Sequence, residues 1–325
     1  MRVAIVIVAA GLMLSAAFAQ QPAPKSAFAL PPESISVVGV KPSEETIKSF
    51  VETRETRTRI VGKIARWRRE VCPLVAGLGD KYAKYVAQRI RDVAKAVGAP
   101  VNSDATCKPN VEIVFTTVPQ LFMDGVHKTG PAFLGYHDSS SQADEMAKVT
   151  HPIQAWYTTE SADVDGSGQV DSGQCAGAGT VLNYFEVSTG GQTSTVTPIT
   201  LNLGCARVMH STGSRLQGSG YDSGFYNVLI VAEPAKLFDF EVGSLADYIA
   251  MLALSQPASQ DSCQQLPSIS NLLAKGCAST SSKITDGDLA YLHGLYDVPN
   301  GYSLSAQRDE MLFQMKKTLI TDKSN

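Results

Sequence analysis

Four catalytic signatures are missing from this chain of 325 residues. It has no H-E-x-x-H, so the metalloprotease helix is absent. It has no G-x-S-x-G, which leaves the serine-hydrolase elbow unsupported. The glycine-rich stretch Gly218–Gly224 is not G-x-G-x-x-G and precedes a strand, so it argues against a dinucleotide loop. No C-x-x-C occurs, and with it go a thioredoxin-like role and a cysteine-only zinc site. Charge of one sign is also scarce. Lys and Arg number 28 against 31 Asp and Glu, a net −3, which excludes a strongly basic nucleic-acid binder. After the first twenty residues no apolar run is long enough to span a membrane. The hydrophobic content of 44% rules out a disordered or collagen-like chain.

What is present begins with an export signal. Met1-Arg2 is followed by an apolar stretch from Val3 to Leu14 and by Ser15-Ala16-Ala17-Phe18-Ala19. Small residues at the −3 and −1 positions predict cleavage after Ala19, leaving a periplasmic or secreted chain of 306 residues. Export makes the six cysteines readable as disulfides. Six cysteines allow about 15 connectivities. Pairing by neighbourhood gives Cys72–Cys107, Cys175–Cys205 and Cys263–Cys277 as the expectation.

Residues 20–35 are rich in Pro, Ala and Ser and read as a flexible tether; residues 36–325 are expected to form one domain. Between Lys41 and Pro100, Lys and Arg number 14 and Asp and Glu 7, so this segment carries +7 and the remainder −10. Such asymmetry can mark an anionic partner. The favoured reading is helices whose solvated faces are basic. Tyr82, Val86, Ile90, Val93 and Val97 form a helical stripe stopped by Gly98 and Pro100. A second helix is expected over Glu44–Thr58. Trp67 stands among Arg66, Arg68 and Arg69; we expect the ring to pack while the arginines reach water.

Strands are expected at Val111–Thr116, Gln154–Thr158, Thr180–Val187, Val196–Leu203 and Asn227–Ala232. Residues 159–179 and 206–225 read as long loops. Ser244 and Thr285 each open a capping box, and Ser305 is a candidate cap for a last helix. Helices, then strands, then helices predict an α+β fold with a mostly antiparallel sheet and helices before and after it.

Few residues point to chemistry. Asp163, Asp165, Ser167 and Asp171, with Gly168 at the turn, match the first nine positions of an EF-hand loop. Position 12 is Gln174, which cannot give a bidentate carboxylate, so a solvated turn is the default. No other metal and no cofactor is expected. Lys128-Thr129-Gly130 matches a penicillin-binding box, but no S-x-x-K precedes it. Trp156, Tyr157 and Arg215 are candidate cleft residues, because aromatics and arginine are favoured where surfaces bind; packing in the core or a loop is the alternative.

The C-terminal third carries a resemblance. Val228–Ala232 is followed by Gly243-Ser244-Leu245-Ala246-Asp247-Tyr248-Ile249-Ala250-Met251, then Leu266–Leu272 and Ile284-Thr285-Asp286-Gly287-Asp288-Leu289 up to Tyr296. This order resembles uncharacterised secreted bacterial proteins with a zincin-like layout. It covers roughly residues 226–297, with loose motifs. Where zincins carry H-E-x-x-H, this helix has Asp247, Tyr248 and Met251. The resemblance therefore implies a zincin-like fold that has lost its catalytic metal. Two functions follow as expectations. The first is a non-catalytic binding or scaffold protein, with an envelope or protein partner. The second is a hydrolase of peptides or envelope polymers with an unrecognised site.

Overall fold

A computed structural model describes residues 41–104, 106–163, 168–171, 180–185, 196–201 and 220–321. The chain is α+β. Its main sheet has five strands in the order β1-β2-β7-β3-β4, and β5 with β6 forms a separate two-stranded ribbon. The strands are β1 Pro73–Ala76, β2 Val111–Phe115, β3 Ile153–Asp163, β4 Gly168–Val170, β5 Thr180–Phe185, β6 Val196–Leu201 and β7 Tyr221–Ala232. The helices are α1 Glu44–Arg54, α2 Asp80–Ala96, α3 Pro119–Thr129, α4 Ser140–Met146, α5 Val242–Leu254, α6 Asp286–Asp297 and α7 Leu304–Lys316.

The main sheet is mixed. β1, β2 and β7 run parallel, while β7–β3, β3–β4 and β5–β6 are antiparallel. The parallel β1–β2 pair follows from α2, which supplies the crossover that parallel strands need. Helices cover both faces of the central strands. Val228, Ile230 and Ala232 of β7 join the core under α1, α2, α5, α6 and α7. Leu229 and Val231 join a smaller core with α3, α4 and the 3-10 turn Pro131–Leu134. Burial on both faces explains why this strand reads as an unbroken apolar run.

Local chemistry sets the helix ends. The Ser43 hydroxyl accepts from the Thr46 N–H at 3.1 Å, and Glu44 and Glu45 favour the first turn of α1. That helix stops at Arg54 rather than Thr58, because Glu55 is extended and Arg57 bridges to Ile64. Thr285 and Asp288 form the expected capping box of α6. Two expected caps are corrected. Ser244 lies inside α5, which starts at Val242 after Glu241; all thirteen residues of α5 are buried, so packing sets its start rather than a hydroxyl. The last helix is capped by Ser303, whose hydroxyl accepts from the Ala306 N–H, and not by Ser305.

The expected loops are corrected in part. Residues 159–163, 168–170 and 221–225 are strand. Their polar side chains hid the pattern, and the structure shows why they are tolerated. Lys63 and Arg68 ion-pair with Asp222 at 3.3 and 3.6 Å, and Arg69 with Glu160 at 2.6 Å. A buried charge is costly unless paired in this way. Trp67 packs as expected, its indole N–H donating to the Ala253 carbonyl at 2.7 Å and its ring 5.6 Å from Phe225. The neighbouring arginines do not all reach water. Arg66 is buried and donates to the Leu295 carbonyl and Asn300. Arg54 is buried between the rings of Phe50 and Tyr291 and pairs with Asp288.

Two disulfides occur among the described residues, Cys72–Cys107 and Cys263–Cys277, with Cα separations of 6.0 and 5.2 Å. Both match the neighbourhood pairing. Cys175 and Cys205 lie outside the described residues. No described helix is long and apolar enough to cross a membrane. These features are compatible with an extracytoplasmic protein.

Candidate functional site

β3 is the element that builds a cleft. Over Glu160–Ala162 it lies between β7 and β4. Over Ile153–Thr158 it pairs with β7 alone among the described residues. The outward direction of this free edge follows from the register. The Val228 N–H donates to the Asn110 carbonyl, and the Ala232 carbonyl accepts from Thr116, so these residues of β7 face β2. Leu229 and Val231 therefore face β3, opposite Trp156 and Gln154. The backbone groups of Ile153, Ala155, Tyr157 and Thr159 consequently point away from the sheet.

Two of those groups are capped. The Ile153 carbonyl accepts from the Gln260 amide at 2.9 Å. The Thr159 carbonyl accepts from the Asp171 N–H at 2.8 Å. Gly135 closes on the Tyr157 carbonyl: a Cβ placed there would stand 2.5 Å from that oxygen, and its φ is +94°. Both facts select glycine at this position. Among the described residues, nothing bonds the N–H and C=O of Ala155 or the N–H of Tyr157.

A cavity of about 410 Å³ lies along this edge. Its floor is Gln154 to Tyr157 with Thr159. Leu134, Gly135, Tyr136, Glu145, Met146, Lys148 and Thr150 wall it on one side of the sheet, and Arg57, Thr58, Arg59 and Gln256 on the other. Among the described lining residues three cations thus stand against one carboxylate, Glu145, which Lys148 already holds at 2.5 Å. Lys148 stands at the Gln154 end, where its carbonyl accepts from the Gln154 amide. Arg59 stands at the Tyr157 end, where Asp138 joins it to Tyr136 beside Gly135.

Trp156 and Tyr157 both line the cavity, on opposite faces of the strand. Trp156 is buried in the smaller core, and its indole N–H donates to the Met146 carbonyl at 2.6 Å. The Tyr157 ring lies 5.6 Å from Phe225, and its hydroxyl donates to the carbonyls of Leu252 and Ser255. Burial pushes the Tyr157 phenol well above its ordinary value, which keeps it a neutral donor. The polar atoms of both side chains are engaged in the scaffold. What they offer a ligand is ring surface and backbone. Arg215 lies outside the described residues.

Of the EF-hand-like residues, Asp163 and Asp171 are described, and they stand apart on the β3–β4 hairpin. β4 turns back on β3 as a hairpin, with Gly168 opposite Ala162. Asp171 stands beside Thr159, where the Thr159 and Ser161 hydroxyls each donate to one of its oxygens at 2.7 and 2.6 Å. Asp163 lies two residues beyond Ser161 along β3, roughly 7 Å further on. Burial raises the Asp171 carboxyl, against the pull of the two hydroxyls. Asp165 and Ser167 lie outside the described residues. No group of three His, Cys, Asp or Glu converges among the described residues.

Gly135, Arg57, Arg59, Lys148 and Gln154 escaped the sequence reading. A lone glycine between Leu134 and Tyr136 was the one available signal, and it does not announce a strand edge. Compared with family models, curated proteins and solved structures, the chain matches none of them.

Proposed function

We propose that this is an exported, disulfide-stapled binding protein that holds a partner in the β3-edge cleft and does not cleave it. The observation that carries the reading is the cleft itself. A stretch of strand whose outer edge has no partner strand among the described residues forms its floor, and segments from both sides of the sheet flank it. The leader ending at Ala19 and the secreted or periplasmic location belong to the same reading, supported by the two disulfides.

The zincin-like layout enters as a hydrolase scaffold used without its metal. Asp247 has both oxygens engaged, one by Arg89 at 2.5 Å and one by the Ile284 N–H at 2.8 Å. The Tyr248 hydroxyl accepts from Gln260, and Met251 sits in the core. These are the positions where the resemblance would put metal chemistry, and their groups are committed to packing.

The test is to screen the purified mature protein against an immobilised peptide library and peptidoglycan fragments, while assaying casein and peptidoglycan hydrolysis with and without zinc. Saturable binding that is lost on filling the cleft with Thr159→Trp, without turnover, is the expected result. Chelator-sensitive turnover of casein or peptidoglycan would replace this reading with the hydrolase.

A further inference from the structure

We infer that the cleft takes an extended, acidic peptide segment as an added β-strand, bonded to the backbone of Ala155 and Tyr157. The inference rests on the cleft-binding reading and names the ligand class. Strand addition needs an edge whose N–H and C=O groups are unspent, and alternate pockets give it specificity. Only part of this edge qualifies. Gln260 caps the Ile153 carbonyl, Asp171 caps the Thr159 carbonyl, and Gly135 lies against the Tyr157 carbonyl. Between these stops, the Ala155 N–H and C=O can exchange two hydrogen bonds with one ligand residue, and the Tyr157 N–H can donate a third.

The site is therefore short. From Ile153 to Thr159 the edge runs roughly 20 Å at strand spacing. Most proteins blunt such an edge with prolines, charges or a covering loop. Here the strand residues lining the cleft are Gln154 to Tyr157 and Thr159, none of them charged, and the charges stand back on the walls. Among the described residues Gly135 is the close cover, and it lies against the Tyr157 carbonyl.

Charge decides which peptide fits. Lys148 stands at one end of the cleft, paired with Glu145 at 2.5 Å, and Arg57 and Arg59 stand at the other, Arg59 paired with Asp138 at 3.3 Å; among the described lining residues three cations stand against one carboxylate. Glu55 is shared between Arg57 and Arg308, so Arg57 is incompletely neutralised. An acidic segment therefore gains attraction chiefly at the Arg57 end, where a basic one meets repulsion. Rim charges of this kind act mainly on association rate and specificity, and they weaken with salt.

The experiment uses the full mature protein and the peptide acetyl-(Glu-Val)3-amide, followed by titration calorimetry and amide hydrogen exchange. Three probes accompany it: the Lys-Val counterpart and two versions N-methylated on alternate amides in the two registers. The expected result is binding of the acidic peptide with slowed exchange at Ala155 and Tyr157. One N-methyl register should lose at least about tenfold in affinity and the other little, since each lost bond is worth on the order of a kcal/mol. The lysine peptide should bind at least about tenfold more weakly. Ala155→Pro removes only an outward N–H, which edge strands tolerate, and should weaken binding; the exchange data stand even where that variant folds poorly. Binding indifferent to both N-methyl registers overturns strand addition while leaving a cleft-binding protein in place. Absence of exchange protection at Ala155 also overturns it. If the library screen also finds no binder lost in Thr159→Trp, the cleft reading itself fails.

Discussion

The two halves of β3 solve opposite problems with one strand. Thr159–Asp163 is polar, has β4 beside it and is held by ions: Arg69 on Glu160, and Lys63 and Arg68 on Asp222 of the adjoining β7. Ile153–Thr158 carries Trp156 and Tyr157 anchored in two cores, and leaves its edge open. The first half has its Glu160 carboxylate paired internally and a neighbouring strand along its edge. The second is satisfied through its side chains but not through its backbone. The irregular register between Thr158 and Thr159 marks the boundary. A bulge re-aims a strand and often lies near functional sites. The comparison teaches that side-chain anchoring on both faces lets an edge remain open without losing its place.

The strongest way to break the locked half is Asp222→Ala. This strands Lys63 and Arg68 and removes the acceptor of the Gly301 N–H. A buried pair broken from one side typically costs about 3–5 kcal/mol. Urea denaturation should show a loss of that order, while peptide binding at 25 °C persists in whatever fraction stays folded.

Glu112 sharpens the contrast, because it is a buried carboxyl with no cation bonded to it among the described residues. It lies in the middle of the sheet and accepts from the Asn227 amide at 2.6 Å. Burial pushes it up to about 7, against the pull of that amide. The folded state then keeps a proton that the unfolded state releases near its ordinary value of 4.5. Stability is therefore greatest below about pH 4.5 as far as this group is concerned, and falls as pH rises toward 7, by roughly 3 kcal/mol. Denaturant midpoints of Glu112→Gln should lack that decline; an unchanged pH slope would contradict the assignment.

Gly135→Ala attacks the open half. The added methyl meets the Tyr157 carbonyl at 2.5 Å, and φ +94° disfavours any side chain. We expect a loss of about 1–3 kcal/mol in stability and a weaker cleft, checked by thermal unfolding and peptide titration. The smallest effect belongs to Arg59→Ala. Its pair with Asp138 at 3.3 Å is largely exposed, so stability should change by under about 0.5 kcal/mol. Binding of the acidic peptide should weaken while that of its lysine counterpart should not, and only at low salt.

The charge asymmetry shows how far the residues could be read in advance. The excess of +7 over residues 41–100 was visible. Its use was not, because ion pairs such as Arg54–Asp288, Lys63–Asp222 and Arg89–Asp247 join positions more than 150 residues apart. Neither an anionic partner nor solvated faces accounts for these side chains; they neutralise the acidic remainder from within. The helices α2 and α6 were legible because their stripes, stops and caps are local. β1, only four residues long, and α3 left no periodic signal strong enough to read.

Apolar period, capping hydroxyls and cysteine neighbourhoods are short-range, and they determined the α+β class, most strand positions and the two disulfides. Which edge of which strand stays open is a property of order in the sheet. No residue of Gln154–Thr158 encodes it, since the same alternation serves a central strand equally well. Only the tertiary arrangement, with β7 on one side of β3, β4 beside half of it and Gly135 against Tyr157, decided that a cleft exists there.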